Sequence, residues 1–122
     1  QSWEKFRKEA GGQIIGIEVK VKSVRYDYEG TLDRLIINTN LAPKKTLLLD
    51  IKTNLADEAT ALQTSGYAMA WGKYGAKCAR GSVALKDDGT YRYTPYPDDS
   101  LDKAAWMGCL QLVAWKTRRG MK

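Results

Sequence analysis

The chain has 122 residues, of which 43% are hydrophobic and 28% are charged, and these proportions are ordinary for a soluble globular domain. Lysine and arginine number 20 against 14 aspartate and glutamate, giving a net charge of +6 that favours a polyanionic partner without identifying one. The absence of histidine excludes Ser-His-Asp and Cys-His hydrolases and His-rich metal sites. Any hydrolytic chemistry must therefore use carboxylates, lysine and tyrosine.

The length of the chain predicts a single domain over residues 1–122, because so few residues suit one modest core. Cys78 and Cys109 are too few and too far apart for a zinc or iron–sulfur framework, and we interpret them as reduced thiols of a cytoplasmic protein. The sequence has no apolar run long enough to cross a bilayer and no signal-peptide pattern, so we expect no membrane association.

Hydrophobic periodicity and turn residues predict eight elements in the order α-β-β-β-α-β-β-α. They are a helix over residues 2–10, strands over 14–28, 31–38 and 46–53, a helix over about 56–74, strands over 77–85 and 90–96, and a helix from 98 or 99 to about 118.

Two details of this prediction concern the first strand and the last helix. Alternation in the first strand predicts one apolar face and one polar face, followed by a turn at Glu29–Gly30. The two faces are Ile17, Val19 and Val21, and Glu18, Lys20 and Lys22. The apolar positions of the last helix predict a buried stripe, formed by Ala105, Trp106, Cys109, Leu110, Leu112 and Val113.

Three polar residues on the second and third strands need an explanation. Asp33 lies in the middle of an otherwise apolar strand, where an aspartate is disfavoured. Asp50 and Lys52 are two residues apart and share one face of the third strand, while Ile51 points to the other face. If the two strands are antiparallel neighbours, the two carboxylates converge, and a divalent cation would relieve their repulsion. The simpler alternative is a set of surface ion pairs on a half-exposed sheet.

Taken together, "GTLDRL", "LLLDIKT" and "QTSGY" resemble the PD-(D/E)XK nuclease superfamily, and most closely its RecB-like and lambda-exonuclease-like branch. The matching positions are Gly30 and Asp33, Asp50 and Lys52, and Gln63 and Tyr67. The resemblance implies an α/β (α+β) fold with a restriction-endonuclease-like core, in which a central mixed β-sheet is flanked by helices.

The resemblance also implies roles for these residues. Asp33, Asp50 and the carbonyl of Ile51 would bind Mg²⁺ or Mn²⁺, and Lys52 would be the catalytic lysine. Gln63 and Tyr67, one helical turn apart, would support the metal site and a DNA phosphate. The alternative for Tyr67 is a place in the core beside Met69 and Trp71.

A further acid is expected upstream, as both a catalytic group and a metal ligand. Glu18, on the polar face of the first strand, matches a glutamate that many relatives carry and is preferred. Glu9 on the first helix is the rival, and a ligand preceding Gln1 is the third alternative.

The function implied by the resemblance is a metal-dependent DNA nuclease, expected to be a phage-type exonuclease in DNA end processing or recombination, and cytoplasmic in the host cell. Its partner would be double-stranded DNA ends or single-stranded DNA, and an oligomer stays open. Basic residues that can hold phosphates by charge are Lys20, Lys22, Arg25, Lys44 and Lys45. The alternative function is a catalytically inactive nuclease-fold module that binds DNA or protein.

Overall fold

The computed structural model describes residues 1–53, 58–71 and 78–120. The elements in these residues are α1 (Ser2–Ala10), β1 (Gln13–Ser23), β2 (Tyr28–Ile37), β3 (Thr46–Lys52), α2 (Glu58–Ala70), β4 (Cys78–Leu85), β5 (Tyr91–Pro95) and α3 (Asp99–Arg118). Their order matches the predicted one, and the α+β class is confirmed. The predicted ends of the second helix at residues 56 and 74, and the predicted strand start at residue 77, lie outside the described residues.

Within the described residues, the strands form one five-stranded mixed sheet in the order β1-β2-β3-β4-β5. Neighbouring strands are antiparallel except for β3 and β4, which are parallel. Two parallel neighbours need a long crossover, and α2 lies in the segment that connects them. The end of β3 and the beginning of α2 therefore belong to the same edge of the sheet.

A hydrophobic cluster covers each face of the sheet. On one face, Phe6 and Ala10 of α1 pack with Leu47 and Leu49. On the other face, Ala68 and Ala70 of α2 pack with Leu48 and with two leucines of β2. Successive residues of β3 thus enter opposite clusters, which is why this strand is a continuous apolar run.

The same alternation determines where the polar end of β3 points. Asp50 and Lys52 continue the face of Leu48 and lie on the α2 side of the sheet, while Ile51 packs against the cluster on the α1 side. The predicted separation of Ile51 from the acid and the lysine is therefore observed.

The predicted alternation of β1 is wrong at its centre. Ile17 is opposite Arg34, whose guanidinium lies over an aromatic ring of α1, whereas Val19 is opposite Leu32 in the cluster on the α2 side. Directly opposed residues share a face, so Ile17 and Val19 point to opposite faces. Glu18 between them has a φ of 49°, a left-handed conformation that interrupts the alternation. Ile17 is consequently exposed.

The predicted turn at Glu29–Gly30 is also wrong, because both residues lie inside β2. The chain turns over residues 24–27 instead, where Asp27 has a φ of 54° and the Ser23 hydroxyl accepts a hydrogen bond from the Tyr26 N–H. Asp and Ser stabilise turns in this way. Packing explains why residue 30 is a glycine, because a Cβ there would lie 2.5 Å from Cε1 of Tyr67.

The predicted buried stripe of the last helix is wrong, because no residue of α3 is buried. Trp106 and Leu110 are half-buried, and the other four members of the stripe are exposed. The helix packs mainly against α2, which is shorter, since 20 residues span about 30 Å and 13 span about 20 Å. The C-terminal half of α3 therefore extends beyond its support.

Candidate functional site

The antiparallel ladder between β2 and β3 ends just before Asp33. The ladder consists of three residue pairs: Arg34 with Leu49, Leu35 with Leu48, and Ile36 with Leu47. Beyond Arg34 the strands are joined through a side chain, because the Ile51 N–H donates to Oδ2 of Asp33 at 2.7 Å. Asp33 is half-buried, and its carboxylate is held beside the end of β3 by this bond.

Asp50 is the least compensated acid of this region. Its side chain is buried, with 8% of the residue exposed, and its Oδ2 has no hydrogen-bond partner among the described residues. The amino group of Lys52 lies 3.4 Å from this oxygen, longer than the roughly 2.7–2.9 Å of a charge-assisted hydrogen bond. Burial raises the pKa of Asp50, the Lys52 charge opposes the rise, and the Asp33 carboxylate adds to it. The ionised form of Asp50 therefore lacks a full partner.

Gln63 and Tyr67 of α2 line the same cleft as Lys52. Gln63 Nε2 donates to the Tyr67 hydroxyl at 2.9 Å, as residues four apart on a helix allow. Burial raises the pKa of Tyr67, and the charges of Asp50 and Asp33 raise it further, so its hydroxyl lies within electrostatic reach of both acids. The Tyr67 ring also packs against the cluster on the α2 side of the sheet. The packed ring agrees with the core alternative for this tyrosine, while its role at a metal site stays a prediction.

We call Asp33, Asp50, Lys52, Gln63 and Tyr67 the strand-end site. Three of its members, Lys52, Gln63 and Tyr67, line a cleft of about 540 Å³ together with Tyr28 and Trp106. Sequence reasoning did not assign these two aromatic residues to the site, because Trp106 is thirty-nine positions from Tyr67 and comes from another helix. Gly66 is the one local signal: a Cβ there would lie 2.6 Å from the Trp106 ring, so the glycine admits Trp106 to the edge of the cleft.

The two acids proposed as a further ligand have different positions. Glu18 is exposed and lies between residues opposite Arg34 and Leu32, level with Asp33 on the neighbouring strand. Glu9 is on α1, at the other face of the sheet, where it raises the pKa of Tyr91 through a hydrogen bond. Among the described residues, no group of three or more acids and cysteines gathers closely enough to hold a metal. The strand-end site therefore contains a pair of acids, with Glu18 on the strand beside it.

The basic residues expected to contact phosphates divide between the two ends of the sheet. Lys20 and Lys22 of β1 and Arg25 of the following turn are exposed at the end where Lys52 lies. Lys44 and Lys45 are exposed in the loop before β3, and the five or six residues to Asp50 correspond to roughly 15–20 Å along the strand. A single phosphate backbone near Lys52 would meet the first group before the second.

No family model matches the chain, and no curated protein matches it. None of the helices in the described part of the chain is long and apolar enough to cross a membrane.

Proposed function

We propose that the protein is a metal-dependent deoxyribonuclease that hydrolyses phosphodiester bonds at DNA ends, as an exonuclease in DNA end processing or recombination. The observation that carries the proposal is the buried Oδ2 of Asp50, which has no hydrogen-bond partner among the described residues and lies beside a second acid. A cation in contact with both carboxylates would satisfy this oxygen and remove their repulsion.

The donor set fits a hard divalent cation. Mg²⁺ and Mn²⁺ prefer carboxylate oxygens, and Mg²⁺ keeps several of its waters when it is held by only one or two carboxylates. Asp33 and Asp50 would hold it, with the Ile51 carbonyl and Glu18 as further candidates. When bound, such a cation lowers the pKa of a coordinated water and stabilises charge on the phosphate.

Lys52 is suited to the catalytic step by its charge and its freedom. Its side chain is about one-third exposed and lies at ion-pair distance from Asp50, so it is held near the acids without being buried. Its ammonium group would neutralise charge that develops on the phosphate oxygens, or orient the attacking water. Hydrolysis adds the water oxygen to phosphorus, breaks one phosphorus–oxygen ester bond, and leaves a phosphate monoester and a hydroxyl group.

The fold gives further support at a coarser level. A restriction-endonuclease-like core is proposed because the order α-β-β-β-α-β-β-α and the central mixed sheet agree with the fold that the sequence resemblance implies. Gly30, Asp33, Asp50, Lys52, Gln63 and Tyr67, the residues of that resemblance, lie on three elements that meet at one edge of the sheet.

The direct test is cleavage of linear and covalently closed circular DNA with Mg²⁺, with Mn²⁺ and with a chelator. We expect the linear DNA to be degraded only with metal and the closed circle to resist. Asp50→Asn and Lys52→Ala should abolish cleavage, while Asp87→Asn and Lys86→Ala, exposed in the β4–β5 turn, are the matched controls and should cut normally. Cutting of the circle would mean an endonuclease. DNA retention without hydrolysis under any metal would favour the inactive binding module.

A calorimetric titration with Mn²⁺ separates the two roles without relying on activity. Asp50→Asn should lose most metal affinity because it removes a ligand, whereas Lys52→Ala should retain it. Equal loss of binding in both variants would contradict the separate roles of ligand and catalytic lysine.

A further inference from the structure

One exposed side of α3 carries a regular apolar row, whose first two members also border a cleft beside α2. Its members follow one another at intervals of four, three, four and three residues: Leu101, Ala105, Gly108, Leu112 and Trp115. All five are exposed, and we call them the outward stripe. Asp102 and Trp106, which bind Arg80 and approach Gly66, mark the opposite, inward side of the helix. The outward stripe therefore has no cover among the described residues.

The outward stripe differs from scattered surface hydrophobics. Leu101, Leu112 and Trp115 are 64%, 52% and 49% exposed. Single exposed apolar residues need no explanation, but a spacing that averages three and a half residues keeps these side chains in one line, as in the contact seam of two packed helices. From Leu101 to Trp115 the stripe covers about 21 Å of the helix.

The charges at the two ends of α3 indicate what covers the stripe. The N-terminal end carries Asp98 and Asp99, and the C-terminal end carries Lys116, Arg118 and Arg119. Both acids are exposed: Asp99 pairs with Arg80, and Asp98 accepts a hydrogen bond from the Leu101 N–H as the N-cap. An antiparallel copy of the same helix places its basic end beside the acidic end of the first, and the opposed helix dipoles add to this preference. A parallel copy would place like charges together.

We propose that the outward stripe is the contact surface of a homodimer, in which two α3 helices pack antiparallel about a two-fold axis near Gly108. Such an interface is self-complementary, since the Leu101 end of each helix meets the Leu112 and Trp115 end of the other. Small residues at the centre, Ala105 and Gly108, let the helix backbones approach closely. A Cβ on Gly108 would meet nothing within 4 Å, so the packing within one chain does not require this glycine.

Sedimentation velocity of the full chain, from dilute protein up to the hundred-micromolar range, tests the proposal. The wild type should shift from monomer to twice the monomer mass as concentration rises. Leu112→Glu should weaken the association by at least about tenfold, because it places two carboxylates in the seam. Gln111→Glu, the same charge change one residue away and off the stripe, is the matched control and should dimerise. Raising the salt concentration should weaken the wild-type dimer, because its charged ends are exposed.

Gly108→Leu supplies a second variant that the monomer tolerates. It should favour the helix itself, because leucine has the higher helix propensity, yet it should block the close approach of two copies. We expect a folded monomer by circular dichroism with loss of the dimer. A wild type that stays monomeric throughout, Leu112→Glu and Gln111→Glu variants that associate equally, or growth into larger open assemblies would each overturn the proposal. None of these changes touches the strand-end site, so a failed cleavage assay leaves the result interpretable.

Discussion

α2 and α3 lie on the same side of the sheet, and the burial of each is the opposite of what its composition suggests. α2 contains polar and small residues, yet Thr60, Thr64, Ser65 and Gly66 are buried along with two alanines. α3 contains three leucines, two tryptophans and a valine, yet none of its residues is buried. Burial is thus decided by which helix lies directly on the sheet. The inner helix needs small residues because it is packed from both sides, while the outer helix is packed from one.

This difference explains how the inner helix can carry the strand-end site. The Thr64 hydroxyl donates to the carbonyl oxygens of Thr60 and Ala61, so a buried polar group is satisfied within the helix. Gly66 admits the ring of Trp106. Because the inner helix is fixed on both sides, Gln63 and Tyr67 are held against the end of β3.

The largest expected effect comes from breaking the link that joins both helices to the sheet. Arg80 of β4 is 3% exposed. It donates to the Ala61 carbonyl of α2 at 2.9 Å, to Asp99 at 3.0 Å and to Asp102 at 2.7 Å. Arg80→Met should lower the free energy of unfolding by about 3 kcal/mol, because it removes the partner of the mostly buried Asp102 carboxylate and leaves the carbonyls of Ala61 and Tyr96 without this donor. Urea denaturation measures this loss.

Arg92→Met is the control for that change, since Arg92 is exposed on β5 and should cost no more than about 0.5 kcal/mol. If Arg80→Met lowered the free energy of unfolding no more than the control does, the two helices would be held to the sheet by their apolar contacts alone. The ion pairs of Arg80 would then not contribute to the difference between the helices.

Replacing one glycine in each helix with alanine should change the stability in opposite directions: the change in the inner helix α2 should destabilise the protein, and the change in the outer helix α3 should stabilise it. Gly66→Ala forces the Trp106 ring to move, and overpacking of this kind typically costs about 1–3 kcal/mol. Gly108→Ala meets nothing within 4 Å and should stabilise by up to about 1 kcal/mol, the difference in helix propensity. Thermal melts at low protein concentration would measure both. Stabilisation by both alanines would mean that α3 adjusts freely over α2.

A smaller effect, with a distinct dependence on pH, is expected at the end of β3. Because its pKa is raised in the folded protein, the protonated form of Asp50 stabilises the fold below the acid's usual pKa of about 3.9. That stabilisation is lost as the pH rises through the raised value. At neutral pH, Asp50→Asn should therefore stabilise the metal-free protein by about 1 kcal/mol, the scale of one unsatisfied buried group.

Measuring the stability of the wild type and of Asp50→Asn over a range of pH tests the direction of this effect. The advantage of Asp50→Asn should vanish in acid and grow toward neutral pH, and Mn²⁺ should raise the melting temperature of the wild type more than that of the variant. A variant less stable than the wild type at neutral pH without metal would show that Lys52 compensates Asp50 fully.

The sequence predicts what is local in this molecule and misses what depends on distant contacts. The alternation of side chains along a regular strand correctly predicts that Asp50 and Lys52 lie on the face opposite Ile51. The left-handed Glu18 broke that rule in β1, and no local pattern announced it. The exposure of α3 was not predicted, because the spacing of apolar residues identifies a contact face of a helix but not whether another element of the chain covers it. That Oδ2 of Asp50 has no hydrogen-bond partner among the described residues depends on where the ladder between β2 and β3 ends.

The smallest expected change in stability is at Tyr67, where the ring belongs to the core and the hydroxyl to the site. Gln63 donates to the Tyr67 oxygen, so the hydroxyl's own proton stays available for a carboxylate or a phosphate oxygen. A tyrosine hydroxyl is protonated at neutral pH, and burial, which raises the pKa of Tyr67, does not change this.

Tyr67→Phe keeps the packing of the ring over Gly30 and removes only the hydroxyl, so it should cost at most about 1 kcal/mol of stability. Under the proposed function, the rate of DNA cleavage should fall by more than tenfold, because the lost group lies beside the metal ligands. Gln63→Ala, which leaves the hydroxyl in place but unoriented, should show a smaller loss. Tyr91→Phe, with its hydroxyl on the other face of the sheet, is the control and should match the wild type. Thermal melts and cleavage rates on the same preparations decide the outcome: a Tyr67→Phe protein that melts early yet cuts normally per folded molecule would assign the hydroxyl to the packing of α2 alone.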